Sequence, residues 1–347
     1  MGNVHSTDAS IGYTGTAATI VHFEDGSKTS VRRWKSVGTV VLSIDAELGW
    51  GFHDLSTPPA ERVEAGREGW ITLVELLDEY EIPATWAVVG HLFLSDCDGI
   101  HSLHPTQEGW FERERTEWSQ RPDLRYGPNL IDRVVAAETE HEVGCHTFSY
   151  VEFGASSTTT EIAREELVAS LKAAATRSPT PSMRSVVFPR NNVGHRDVLA
   201  EWGFTCYRGV SPADGTIHKI TRAIIGHPPL VRPQLDEYGL VNIPASMYLY
   251  GFEGRSRRVF ERVWDDPIVR AVRRGIDAVA DTDRIFHIWL HPNNLVTEAE
   301  TARLRRVLAA VARKRDAGEI RVETMRDVSQ RNEPDFETTS AAQHRDR

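Results

Sequence analysis

Along most of the chain, short runs rich in Val and Ile alternate with longer stretches whose apolar positions recur every three or four residues. The runs are TVVLSIDAE (39–47), ATWAVVG (84–90), HEVGCHTF (141–148), SVVFP (185–189), FTCYR (204–208), LVNIPAS (240–246) and RIFHIWLH (284–291), with a last short EIRVET (319–324). Between them the spacing predicts helices near 67–81, 129–141, 195–202, 266–281 and 298–317, and another beginning after the Ser-Thr cluster at 156–160, where Thr158 and Glu161 form a candidate capping box. This alternation predicts βα units and a parallel sheet, closed as a barrel or wound open.

Some stretches depart from the pattern. TIVHF and TSVRRW flank EDGSK between 17 and 34 and predict a hairpin appendage. Residues 91–128 and 209–240 fit no regular element, and insertions of that length between packed elements are often functional. The polar end, 329–347, predicts a disordered tail. The expected organisation is an N-terminal extension over 1–36, a barrel over 37–328, and the tail.

Composition narrows the function. With 40% hydrophobic and 26% charged residues in 347, the chain is a globular protein rather than a disordered one. A formal charge of −10 argues against nucleic acid as the partner. Cys97, Cys145 and Cys206 lie far apart and suggest neither a disulfide framework nor a thiolate zinc site. No apolar run approaches the ~18 residues of a membrane span, and the first residues do not read as an export signal, so a cytoplasmic location is expected.

In both barrel and open sheet, ligands bind beyond the carboxyl ends of the strands. The first run ends in Asp45-Ala46-Glu47, where alternation puts both carboxylates on one face. The third ends in His146, the fourth in Pro189-Arg190-Asn191-Asn192, and the seventh in Trp289-Leu290-His291. Two carboxylates, two imidazoles and a guanidinium therefore meet at four strand ends. His287, at an even offset from His291, can share its face as a supporting residue, whereas His195 near a helix start reads as a surface or capping group.

The segments SIDAE, IPATWAVVG, HEVGCHTFSY, FPRNNVGH and WLHPNNL, in that order over about 39–325, resemble the polysaccharide deacetylase family, the carbohydrate esterases that share the chitooligosaccharide deacetylase domain. The resemblance implies a distorted (β/α)7 barrel, here with an N-terminal β-hairpin extension. It implies one divalent metal ion, zinc or another transition metal, and removal of an N-acetyl group from an amino sugar of a glycan or glycan precursor. It makes Asp45 the general base, Glu47 and His146 metal ligands, His291 the general acid and Arg190 the group that orients Asp45. Trp50, Trp289 and Asn191 are candidate substrate contacts. Where the family usually has a second imidazole, this chain has Tyr150. A phenol near pKa 10 needs help to ionise, which a metal can supply. Tyr150 ligates, or water or a neighbour such as His53, Glu152 or His141 takes its place, or the metal is lost. The alternative function is a carbohydrate-binding relative without metal. A glycoside hydrolase using Asp45 and Glu47 is disfavoured, because both carboxylates leave one strand end facing one way.

Overall fold

The computed structural model describes residues 19–22, 28–31 and 37–332, except 56, 58, 102–103, 105–108, 117, 211–227 and 251–265. Strands β1 (Thr19–His22) and β2 (Lys28–Val31) pair antiparallel, as the sequence predicts for the hairpin.

The body is organised around β3 (Gly38–Ala46), buried along its whole length. β11 (Ile285–Leu290) runs parallel to it on one side. On the other side β12 (Ile320–Glu323) pairs with its first half and β4 (Thr85–Val88) with its second. From β4 the sheet continues in parallel through β5 (Glu142–Cys145), β6 (Ser185–Val187) and β7 (Cys206–Arg208) to β9 (Val241–Asn242), against which β8 (Gln234–Leu235) lies antiparallel.

One continuous segment closes the ring. Val241, Ile243 and Ala245 donate their backbone N–H groups to the carbonyls of Thr205, Tyr207 and Gly209 beside β7. A few residues on, at β10 (Met247–Tyr248), Ser246 and Leu249 donate to His287 and Trp289 of β11. The segment thus changes partners midway and joins the two open edges, which makes a seven-stranded barrel with an irregular seam. The fold is the distorted (β/α)7 barrel that the family resemblance implies, and of the two arrangements open to the strand pattern it is the closed one.

Seven α-helices are described: α1 (Ala60–Glu79), α2 (Pro128–Val135), α3 (Thr160–Ala174), α4 (Arg196–Glu201), α5 (Pro267–Val279), α6 (Glu298–Asp316) and α7 (Met325–Asn332). Alternation along each strand divides the apolar residues into two layers. Val40, Leu42 and Ile44 of β3 join the large cluster beneath the helices, where Trp70 of α1 stacks on Trp86 of β4 at 5.2 Å. Val41, Ala87, Val187, Cys206, Ile243 and Ile285 fill the barrel interior, sealed below by Met325 and Val328 of α7. Above this plug the inward positions of β3, β7 and β11 are polar: Ser43 and Asp45, Arg208, and His287.

Several boundaries differ from the sequence reading, each for a local reason. α1 starts earlier, directly after Pro59. α2 ends at Val135, because the following turn bends to donate the N–H groups of Glu138 and Thr139 to Asp78 of α1. The cap of α3 is Thr159, whose hydroxyl accepts from Ile162 N, while Thr158 donates to the carbonyl of Glu152. The chain expected to be disordered from 329 is helical to Asn332, with Ser329 Oγ bonded to Thr205.

Candidate active site

Asp45 and Arg208 form the centre. The Arg208 guanidinium, fully buried, donates Nη1 to Asp45 Oδ1 at 2.6 Å and Nη2 to Oδ2 at 2.7 Å. Burial alone would raise the Asp45 carboxyl, but the charge and hydrogen bonds of Arg208 outweigh it and hold the group at about 2. Asp45 is therefore ionised at neutral pH. Arg208 is itself braced: Nη1 also reaches Ser43 Oγ at 3.1 Å, Nη2 reaches Asn191 Oδ1 at 3.0 Å, and the guanidinium lies 4.5 Å from the Trp289 ring centre.

His287 sets the direction of this network. Its Nδ1 lies 3.1 Å from the carbonyl of Ile243, which can only accept, so Nδ1 carries the proton. Nε2 is then an acceptor for the Ser43 hydroxyl at 2.9 Å, and Ser43 Oγ in turn accepts from Arg208. Burial first, and the Arg208 charge second, lower His287 to about 3 and keep it neutral. The supporting role expected for His287 agrees with this geometry.

Glu47, His146, His291 and Tyr150 form the adjoining group. His146 Nδ1 is 2.7 Å from the carbonyl of Val187, so in the neutral ring Nε2 holds the lone pair; that atom is buried, has no hydrogen-bond partner among the described residues, and lies 3.5 Å from Glu47 Oε2. His291 Nε2 stands 3.5 Å from Glu47 Oε1 and 3.9 Å from Asp45 Oδ2. The Tyr150 hydroxyl hydrogen-bonds Glu47, and burial together with the charges of Glu47 and Asp45 pushes its pKa far above the ordinary phenol value. A buried imidazole lone pair facing a carboxylate, with the other ring nitrogen fixed by a carbonyl, is the donor arrangement a divalent cation takes. Glu47 and His146 supply two such donors, and the Tyr150 hydroxyl stands beside them as a third.

The backbone around the group is strained. Leu48, Thr147, Tyr150, Arg190 and Asn191 all have φ between 44° and 66°, where non-glycine residues are rare. Each sits in a loop leaving a strand end. Glu166 of α3 holds one of these turns, accepting from the N–H groups of Phe148 and Ser149 at 2.7 and 2.8 Å. Gly51 leaves room for the Glu47 carboxylate: a Cβ there would lie 2.0 Å from Glu47 Oε1 and push the side chain aside.

Asp45, Glu47, His146, Tyr150 and His291 come together as the sequence reading requires. Arg190 does not join them. Its side chain is 45% exposed and pairs with Asp54 at 2.8 Å and Glu152 at 3.5 Å. Arg208 orients Asp45 instead, and its sequence signal was its place at the end of the run FTCYR, a strand end like the others. Trp50 is fully buried, donates its indole N–H to the Arg125 carbonyl at 3.0 Å and lies under the Arg125 guanidinium, so it is wall rather than a substrate platform. Trp289 stays partly exposed, stacked on Tyr248 at 4.3 Å beside His291. Asn191, expected to meet substrate, commits its Oδ1 to Arg208. Of the side chains considered as substitutes for the second imidazole, His141 accepts from Ala84 N below β4, His53 packs between Trp50 and Trp110, and Glu152 bonds Asn192.

A curled parallel barrel thus carries a carboxylate, imidazole and guanidinium cluster at the carboxyl end of its strands. Comparison with solved structures defines the fold further: it is the polysaccharide deacetylase barrel. A crystal structure provisionally assigned as a polysaccharide deacetylase from Mycobacterium smegmatis is 16% identical, with a TM-score of 0.57 over 91% of this chain and 94% of that one. One with the same provisional assignment from Pseudomonas aeruginosa PAO1 is 13% identical, with a TM-score of 0.53 over 84% and 89%. The structure of the PuuE allantoinase, also 13% identical, gives 0.52 over 84% and 89%. No family model matches the sequence, and no curated protein matches it significantly.

Proposed function

We propose that the protein is a metal-dependent amide hydrolase that removes the N-acetyl group from an amino sugar. The observation that carries this reading is the buried, unpartnered Nε2 of His146 facing Glu47, with His291 and an ionised Asp45 on the same opening. Glu47 and His146 would hold a divalent ion, with Tyr150 as the third candidate ligand. Such an ion lowers the pKa of a coordinated water and polarises the acyl oxygen, the assistance a base as weak as Asp45 needs. Asp45, kept ionised and oriented by Arg208, is the acceptor for the water's proton. His291, facing both carboxylates, is placed to give a proton to the departing amine. Trp289, covered by Tyr248 and the Arg208 guanidinium but partly exposed beside His291, offers its edge to a sugar ring.

A second reading, a carbohydrate-binding protein without metal, is favoured by Tyr150: its hydroxyl donates to Glu47 and its pKa is driven upward, so the phenol resists becoming a ligand. The test is acetate release from N-acetylated amino sugars, with allantoin as a non-sugar comparison, by protein loaded with zinc, cobalt or no metal. Metal-dependent release that is lost in Asp45→Asn, and lost in His146→Ala together with one equivalent of bound metal, supports the hydrolase. Full activity in Asp45→Asn ends that residue's role. A metal content that is the same in the parent, His146→Ala and Tyr150→His proteins favours the binding protein.

A further inference from the structure

The insertion over 91–128 gathers a second set of donor atoms, separate from Glu47 and His146. His91 follows β4 in a short helical turn, Gly90–Phe93, and is fully buried. Its Nδ1 lies 2.9 Å from the carbonyl of Phe148, so that nitrogen carries the proton and Nε2 presents a lone pair. The lone pair faces His101 Nε2 at 3.4 Å, and the same His101 atom lies 3.0 Å from Cys97 Sγ. All three donor atoms lie within 4.8 Å of one another.

These separations suit one ion better than hydrogen bonds alone. His101 Nε2 has one position for a proton, so it cannot both donate to His91 Nε2 and serve Cys97 as a second donor. With zinc bonds of about 2.05 Å to nitrogen and 2.3 Å to sulfur, tetrahedral geometry requires about 3.3 Å between two nitrogens and about 3.6 Å from nitrogen to sulfur. The observed 3.4 and 3.0 Å reach that arrangement with small side-chain movements. The surroundings also match. The carbonyl of Phe148 fixes the His91 tautomer, and Gly99 N donates to Cys97 Sγ at 3.3 Å, which offsets part of the burial that raises the thiol and leaves the rest to the cation. The rings of Phe111 and Phe148 stand 3.9 Å from His101 and His91, and no carboxylate is among the donors, so thiolate and imidazole select zinc over magnesium or calcium. Cys97 and His101 are only half-buried, which leaves a way in.

We propose that His91, Cys97 and His101 bind a zinc ion, with water at the fourth position, and that this centre ties the insertion to the barrel. The spacing lacks the CxxC pattern because one ligand comes from the end of β4 and two from the loop beyond it. The centre is independent of the hydrolase reading. In a Glu47→Gln/His146→Ala protein, stripped with chelator, reloaded with zinc and desalted, about one zinc per chain is expected, falling to near zero when Cys97→Ser is added. Cobalt in the same protein is expected to show a thiolate charge-transfer band. In the unaltered chain, zinc is expected to slow alkylation of Cys97 by about tenfold, read by mass spectrometry, which requires no variant to fold. An alkylation rate indifferent to zinc, or a zinc content indifferent to Cys97→Ser, overturns the proposal.

Discussion

Replacing Arg208 by Met leaves Asp45 as a buried carboxylate without its cation. The pair is enclosed, and both guanidinium nitrogens that meet Asp45 do so at 2.6–2.7 Å. Breaking a buried pair from one side costs about 3–5 kcal/mol, because the remaining charge loses its partner but not its burial. Arg190→Met, by contrast, removes an exposed pair with Asp54 and should cost less than about 1 kcal/mol. The assay is denaturant unfolding of metal-free protein, so that no bound cation replaces the guanidinium. The pH dependence gives a second readout. In the parent, Asp45 falls from 3.8 to about 2 on folding, so its contribution of roughly 2 kcal/mol is present above pH 3.8 and is lost as pH falls through about 2. Without Arg208 the cause that raises the carboxyl, burial, loses its main opponent, and the variant's deficit should shrink as acid neutralises Asp45. Adding Asp45→Asn should recover part of the loss. An Arg208→Met protein within 1 kcal/mol of the parent, or an Arg190→Met protein equally damaged, would refute the pairing described here.

Two further outcomes follow from the same interior. His287, lowered from 6.5 to about 3 on folding, contributes stability that is complete above pH 6.5 and declines as pH falls toward 3, so His287→Asn should flatten the pH dependence of unfolding in that window by roughly 1.4 kcal/mol per pH unit; parallel curves for parent and variant would remove His287 from the account. Trp50→Ala should destabilise by about 3–5 kcal/mol, whereas Trp289→Ala should chiefly raise KM for a sugar substrate; the reverse pattern would exchange their roles.

The strand ends were legible because period-2 alternation and the location of chemistry at carboxyl ends are local rules, and they suffice to bring Asp45, Glu47, His146 and His291 together. The same rules point to Arg208 at the end of β7. Motif resemblance favoured Arg190 instead, but Arg190 lies in a left-handed turn that sends its side chain outward to Asp54. The burial of Trp50 depends on Arg125, which approaches from an insertion with no periodicity to read. The end of the helix at 325–332, from 329 on, looked like tail because its composition is polar; the helix's apolar side, Met325 and Val328, finds a partner only once the barrel exists to be plugged.

The strand that joins β7 to β11 also supplies the carbonyl of Ile243, to which His287 is anchored. Barrel closure and the posture of Asp45 are thus mechanically linked: loosening the seam would release His287, then Ser43, then the guanidinium. Mutations at the junction, far from any reacting atom, should therefore register as misaligned chemistry before they register as unfolding.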